Sequence, residues 1–558
     1  MFDICIPETP SIEALIEMRA ASRVHAKDAT LYDFDLEAEK CASSFMGWTD
    51  LASNPPYSIA EIIAFAAQAR SGGIRDVILI AEGGSSQAAM ALTKLQDPLT
   101  RPIRFRVLDS TSPSRVHGIL STADLDHALF IASSKSGTTI ETTSILSAAI
   151  SYMEAAGISN VPSHLVAITD PGSALETRAL SEKWRAVFSG VASVGGRFSA
   201  LSVFGLVPAA LAGIDIATMV SAAAEMEKAC SQDDANNPAL RLAAFFYDSA
   251  CAGRAYSMFC STPHARALGL WTSQLIAESL GKNGYGIYPY VEADPRAFSY
   301  DMGDKTAIVI SSGVAGSFTK ADEDDMLDSV CSSMPKISCR LESAADMACF
   351  FTVFEHTTAM VGALARVCPF DQPDVASAKA AVLDVLASGE SSTEKRFWRD
   401  GSEISWKASG ALGATGDLES AIGALFAGDA PYVAVNAFVP FTGYARKREL
   451  IRIKEEIAEA LSQPCMLEIG PRYLHSTGQL QKGGPAGSYL IISAVEKTDI
   501  ELPEGSKAES LGQLISAQAV GDFKTLDDRG RRAVYVKLPD CSASSFADLA
   551  DLVAAALV

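Results

Sequence analysis

Short apolar runs alternate along this chain with longer stretches whose apolar residues recur at helical spacing. "DVILIAE", "IRFRVLD", "HALFIAS", "HLVAITD" and "WRAVFSG" read as strands, and the segments between them are long enough for crossover helices. Five such strands predict a doubly wound parallel sheet. From Pro208 through about Asp248 the pattern is mostly helical. The alternation then restarts at "AYSMFC" and continues with "GIYPYVE", "TAIVISSG" and "KISCRLE". A last set, "PYVAVNAFV", "CMLEIG", "YLIISAV" and "RRAVYVKL", follows the polar, Gly/Ser-rich stretch "LASGESSTEKRFWRDGSEISWKASGALGATG", which reads as a boundary or mobile insertion. The expected class is α/β: two parallel-sheet domains with flanking helices and a smaller C-terminal α/β region. The boundaries this suggests are a helical N-terminal segment over 1–56, a first α/β domain over 57–220, a second over 221–390 and a C-terminal α/β extension over 391–558.

Composition narrows the class of partner. The chain has 558 residues, 48% of them hydrophobic and 20% charged, enough to bury more than one core. Its 67 acidic against 46 basic residues give a formal charge of -21, which opposes non-specific binding to nucleic acid or to an anionic membrane. The start "MFDICIPETPSIEAL" shows no leader pattern, and the apolar stretch "FGLVPAALAGIDIATMV" is broken by Pro208 and Asp215, so neither export nor insertion is expected. The 11 cysteines show no CxxC pairs or metal-like Cys/His spacing, which points to ordinary thiols in a reducing cytoplasm and to no structural metal.

Against that acidic background, a phosphorylated ligand needs a local pocket, and "SSKSGTTIETTS" after the strand "HALFIA" offers one. Ser134, Ser136, Thr138 and Thr139 supply hydroxyls, Gly137 lets the backbone turn closely around an oxyanion, and Lys135 adds charge. The same stretch also fits a Ser/Thr-x-x-Glu capping box at Thr138 and Glu141, so a helix start explains part of it. A second loop, "AEGGSS", brings Gly84 and Ser85 to the same crevice. Neither loop is a Walker motif or a dinucleotide fingerprint. In "LWTSQLIAESLGKNGYGIYP" a helix is expected to end at Gly281, with Gln274 and Glu278 on one face. A carboxylate in a last helical turn meets the negative end of the helix dipole, which favours its taking a proton, as a general base must. "VGGRFSALSVFGLVPAALAG" places paired glycines before Arg197 and an apolar helix.

In combination, "SKSGTTIET", "GGRFSALSVFGL", "QLIAESLGK" and "PFDQPDVASAK" stand in the order seen in the phosphoglucose isomerase family, which the chain resembles from about Tyr57 to Lys379. The tail, with "GPRYLHSTGQLQKGGP" and "AQAVGDFKTLDDRGRR", is similar to the isomerase half of fused transaldolase/phosphoglucose isomerase proteins. "HAKDATLY" and "VLDSTSPSRV" resemble that branch too. The resemblance implies two sugar-isomerase-type domains, with the catalytic Glu and Lys in the second. It also implies interconversion of glucose 6-phosphate and fructose 6-phosphate through a cis-enediol in glycolysis and gluconeogenesis, by a cytoplasmic homodimer that uses a hexose phosphate substrate and no cofactor. By position, it implies that Ser134, Lys135, Ser136, Thr138 and Thr139 hold the phosphate, with Gly84 and Ser85 lining the site. Glu278 is then the base, with Gln274 one turn earlier. Arg197 faces the enediolate oxygen, and Lys379 is a substrate ligand that takes part in ring opening.

Two departures from the family pattern stand out. A ring-opening histidine is expected some way after the catalytic Glu, often supplied by the partner subunit, yet "YPYVEADPRAFSYDMGD" has none. His475, beside Ser476, Gln479 and Lys482 in a Gly-rich loop, is the leading substitute; His356 lies in an apolar helical stretch and reads as a packing residue, and His264 is a third candidate. The first loop reads "GGSSQAA" where the family often has "GGSDLGP". Two other readings stay open: an isomerase that also accepts mannose 6-phosphate, and a non-catalytic sugar-phosphate sensor.

Overall fold

The computed structural model describes residues 3–94, 103–261, 265–292, 305–312, 331, 334–389, 394–399 and 402–557. The five strands expected in the first domain form one all-parallel sheet in the order Arg104–Leu108, Asp76–Ala81, Ala128–Ser133, Leu165–Thr169, Ala186–Ser189. Their continuous apolar runs follow from burial on both faces. In the second of these strands Val77 and Leu79 join one apolar cluster while Ile78 and Ile80 join another. The chain leaves Asp76–Ala81 toward one side of this sheet and Ala128–Ser133 toward the other. The loops after these neighbouring strands therefore flank the crevice where ligands of open parallel sheets collect.

A second sheet orders Lys336–Leu341, Lys305–Ser312, Tyr256–Ser261 and Tyr288–Glu292 in parallel. The helix Arg266–Leu280 follows Tyr256–Ser261 and packs against the helix Gly84–Lys94 of the first domain. Helices fill about half of the first sixty residues, in line with the pattern, but Asp3–Cys5 is a strand that pairs antiparallel with Lys336–Leu341 and so covers an edge of the second sheet.

The third sheet holds the four expected strands, Val433–Phe438, Cys465–Ile469, Ser488–Ala494 and Arg532–Leu538, and they run parallel. The stretch that composition marked as a boundary or insertion instead contributes two antiparallel strands, Lys395–Arg399 and Ser402–Ala408, the latter pairing with Arg532–Leu538. Its Gly/Ser content obscures an alternation that buries Ile404 and Trp406 against the third core. By length and composition the helix Ala344–Ala365 could cross a bilayer, yet 94% of its apolar window is buried inside this fold.

Candidate functional site

The phosphate-type loop begins where the strand Ala128–Ser133 ends. Gly137 has φ +67°, and a Cβ there would lie 2.7 Å from the Leu175 nitrogen, so glycine is required by conformation and by space. The helix that follows starts at Ile140 with Thr139 as its N-cap and no side-chain cap bond. This overturns the expected capping box. Thr138 bonds to Ser136 at 3.0 Å instead, and Glu141 lies in the first helical turn with its carboxylate directed elsewhere. Ser134 is buried with its hydroxyl 2.8 Å from that of Thr139, whereas Ser136 and Thr138 are exposed. Lys135 does not reach into the loop's mouth. Its ammonium donates to Asp170 at 2.7 Å and to the Val191 carbonyl at 3.1 Å, and lies over the Phe204 ring.

The loop after Asp76–Ala81 is held by close backbone contacts. A Cβ on Gly84 would stand 2.1 Å from the Gly196 carbonyl, so the "GGSS" loop lies directly on the "GGRF" turn that carries Arg197. Gly83, at φ +55°, would place a Cβ 2.9 Å from both the Cβ and the carbonyl oxygen of His475. Ser85 is buried in the first turn of the helix that starts here.

Gln274, Glu278 and Arg197 form one buried cluster. The helix Arg266–Leu280 ends at the Gly281 cap, as the pattern predicts. Glu278 Oε1 lies 3.2 Å from Arg197 Nη1, and its Oε2 accepts from Gln274 Nε2 at 3.0 Å. Arg197 is 2% exposed. Its Nε donates to Ser279 Oγ at 2.7 Å, Nη1 to Gln372 Oε1 at 2.8 Å, and Nη2 to the carbonyls of Pro369 at 2.6 Å and Asp371 at 2.8 Å. Four hydrogen bonds thus fix the guanidinium, and the Glu278 carboxylate adds an ion pair.

His475 joins this cluster to a cleft. Its carbonyl accepts from Gln274 Nε2 at 2.8 Å, and its Nε2 lies 3.1 Å from Glu141 Oε1. Glu141 Oε1 also accepts from Gln518 at 2.7 Å. Burial pushes the Glu141 carboxyl up, but the charge and hydrogen bond of His475, with the charge of Lys379, hold it below the usual carboxylate range. Thr138, Thr139, Glu141, Lys379, His475 and Lys507 line a cleft of about 190 Å³. Lys379 reaches it from the exposed side of the helix Pro373–Ser388. His264 lies outside the described residues. His356 is buried, bonded to the Thr352 carbonyl at 2.9 Å and edge-on to Trp48, which suits a packing residue.

Sequence reasoning missed Glu141, because a cap accounted for it, and missed the bracing by Gln479. That amide donates to the Gly281 carbonyl at 3.1 Å and to Asp374 at 2.7 Å, and its oxygen accepts from the Asp374 nitrogen. It therefore ties the end of the Glu278 helix to the start of the Lys379 helix.

Residues 61–294 match the family described as phosphoglucose isomerase. The chain belongs to this family. Among curated relatives, a probable glucose-6-phosphate isomerase of Methanococcus maripaludis is 27% identical over 371 residues, which is 59% of this chain and 82% of that protein. A glucose-6-phosphate isomerase of a Synechococcus strain is 38% identical over 222 residues, covering 38% of this chain and 41% of that relative, less than half its length. The crystal structure of a glucose-6-phosphate isomerase from Chlamydia trachomatis aligns with a TM-score of 0.58 at 16% identity, covering 69% of this chain and 88% of that one, and so shares the phosphoglucose isomerase fold. The matched segment holds both glycine loops, Arg197 and the Glu278 helix. Lys379 and His475 lie beyond it.

Proposed function

We propose that this protein is an aldose–ketose isomerase that interconverts glucose 6-phosphate and fructose 6-phosphate through a cis-enediol(ate), a step of glycolysis and gluconeogenesis. The observation that carries this reading is the buried pair of Glu278 and Arg197 at 3.2 Å. Glu278 takes the proton from C2 and returns it at C1. While it holds that proton it is neutral, and its grip on Arg197 weakens just as negative charge appears on the substrate oxygen. The guanidinium, still fixed by Ser279, Gln372, Pro369 and Asp371, then offers its charge to the enediolate. A sensor that only binds phosphate has no use for such a base.

The hydroxyls of Ser134, Ser136, Thr138 and Thr139, with the loop of Gly84 and Ser85, take the phosphate at the crevice of the first sheet. Lys135 supports the loop from behind through Asp170. His475 and Lys379 face one cleft and act in ring opening, with His475 oriented by Glu141. The expected setting is a cytoplasmic homodimer working without a cofactor. An assay that supplies fructose 6-phosphate in metal-free buffer and detects glucose 6-phosphate with a coupled dehydrogenase tests the proposal. Turnover is expected. Tight phosphosugar binding with no turnover would favour the sensor.

A further inference from the structure

Lys282 follows the catalytic helix by two residues and has no part in the chemistry described so far. Its side chain is 4% exposed, an unusual place for an ammonium. It donates to the Asp371 carbonyl at 2.8 Å and to the Asp371 carboxylate at 2.6 Å. The same carbonyl accepts from Arg197 Nη2 at 2.8 Å. Two buried cations therefore share one backbone oxygen, on the loop that also supplies the Pro369 carbonyl and the Gln372 amide oxygen to Arg197. Burial lowers the Lys282 pKa, as does the neighbouring Arg197 charge, while the Asp371 carboxylate opposes both.

We propose that Lys282 is a positioning residue for Arg197: it fixes the 369–372 loop and neutralises Asp371, so that the guanidinium keeps its orientation and its charge goes to the reacting sugar. In the resting cluster Lys282 balances Asp371 and Arg197 balances Glu278. When Glu278 takes a proton, the second balance is lifted and the first is not. The site then carries one net positive charge at the moment the enediolate needs it. Without Lys282 the half-exposed Asp371 carboxylate loses its bonded cation beside the Arg197 guanidinium, and the loop that orients Arg197 loses two of its bonds. This rests on the isomerase reading above.

Lys282→Met keeps the length of the side chain in a buried position and removes the charge. The expected result is a fall in kcat of about tenfold to a hundredfold, with KM for fructose 6-phosphate changed by less than about threefold, since the phosphate contacts are untouched. Lys282→Arg should recover most of kcat. The double variant Lys282→Met with Asp371→Asn should recover part of it, because the unbalanced carboxylate is gone while its carbonyl remains; a merely structural lysine would give no such rescue. Should the Met variant unfold, the Arg variant and Asp371→Asn alone carry the test: both are expected to fold and to keep kcat within about tenfold of wild type, and a larger loss in Lys282→Arg overturns the proposal. A folded Met variant with kcat within about twofold of wild type overturns the proposal. So does an equal loss in kcat and in KM-dependent binding without rescue by either second change. If the wild-type protein does not turn over fructose 6-phosphate, the isomerase reading has failed; if Arg197→Lys and Glu278→Gln abolish turnover while Lys282→Met does not, only the role of Lys282 has.

Discussion

Replacing Glu278 by glutamine preserves the volume of the side chain and removes its ability to accept a proton. In the structure Oε1 faces Arg197 at 3.2 Å and Oε2 accepts from Gln274 Nε2 at 3.0 Å. A glutamine can keep its carbonyl on Arg197, but its NH2 then meets the NH2 of Gln274, donor against donor. Gln274 is not free to turn over, because its Nε2 also donates to the His475 carbonyl at 2.8 Å. One hydrogen bond is lost, about 1 kcal/mol, and Arg197 loses a counter-charge while keeping its four other acceptors, so the total cost in stability is at most about 3–5 kcal/mol. The fold should survive. Catalysis should not: loss of a general base removes about two orders of magnitude or more from kcat, a rise of about 2.7 kcal/mol in the barrier. The coupled dehydrogenase assay reads kcat, calorimetric titration reads phosphosugar affinity, and exchange of the C2 hydrogen with heavy water reads the proton transfer itself. Affinity should persist within about tenfold while exchange and turnover fall together. A folded variant whose kcat stays within about threefold of wild type would refute the assignment of the base.

Ser134→Ala with Ser136→Ala should weaken phosphosugar affinity by about tenfold with only a small loss in melting temperature, because the helix Ile140–Ala155 starts without a side-chain cap bond. A sharp fall in melting temperature with unchanged affinity would show that the hydroxyls serve packing. His475→Asn should slow turnover of a cyclic hexose phosphate by about tenfold more than that of a shorter open-chain phosphosugar, and equal losses on the two would assign His475 to structural support. Burial lowers the His356 pKa from 6.5 to about 4. Its unfolded form therefore gains a proton first as pH falls, and wild type should lose about 2–3 kcal/mol relative to His356→Gln between about pH 7.5 and about pH 4.5. Urea denaturation at the two pH values measures this, and a constant difference between the proteins would contradict it.

The strands and the helix that carries Glu278 were legible because their signals are local. An apolar run bounded by turn residues can be read in place, and so can the Gly281 stop after Glu278. The same holds for the loops at the first crevice, since their position after neighbouring strands already directs them there. What could not be read is pairing between distant residues. Glu141 satisfied a local capping rule, yet its carboxylate goes to residues more than three hundred positions away, His475 and Gln518. Lys135 has the composition of a phosphate ligand, and only the fold reveals Asp170 beside it. The hairpin of Lys395–Arg399 and Ser402–Ala408 was hidden by glycine and serine around it, although Ile404 and Trp406 carry the alternation that buries it.

The position of His475 follows from how the three sheets share their interior. One apolar cluster contains Ile78 and Ile80 of the first sheet, Tyr256 and Met258 of the second, and Tyr432, Ile491 and Tyr535 from the third region. Tyr288 stacks on Tyr432, and the Tyr256 hydroxyl donates to the Pro431 carbonyl at 2.9 Å. The C-terminal region is thus packed into the site's walls. It places Leu480 so close to Gly281 that a Cβ there would come within 2.4 Å of the Leu480 Cα. This contact sets the turn Arg472–His475 against Gly83 and Gln274, and there the imidazole meets Glu141. A proton-handling histidine need not follow the base closely in sequence. In the reading proposed above it needs only a rigid element that holds it beside Gln274, the partner of Glu278, and here the bracing of Gly281 and Asp374 by Gln479 supplies that rigidity.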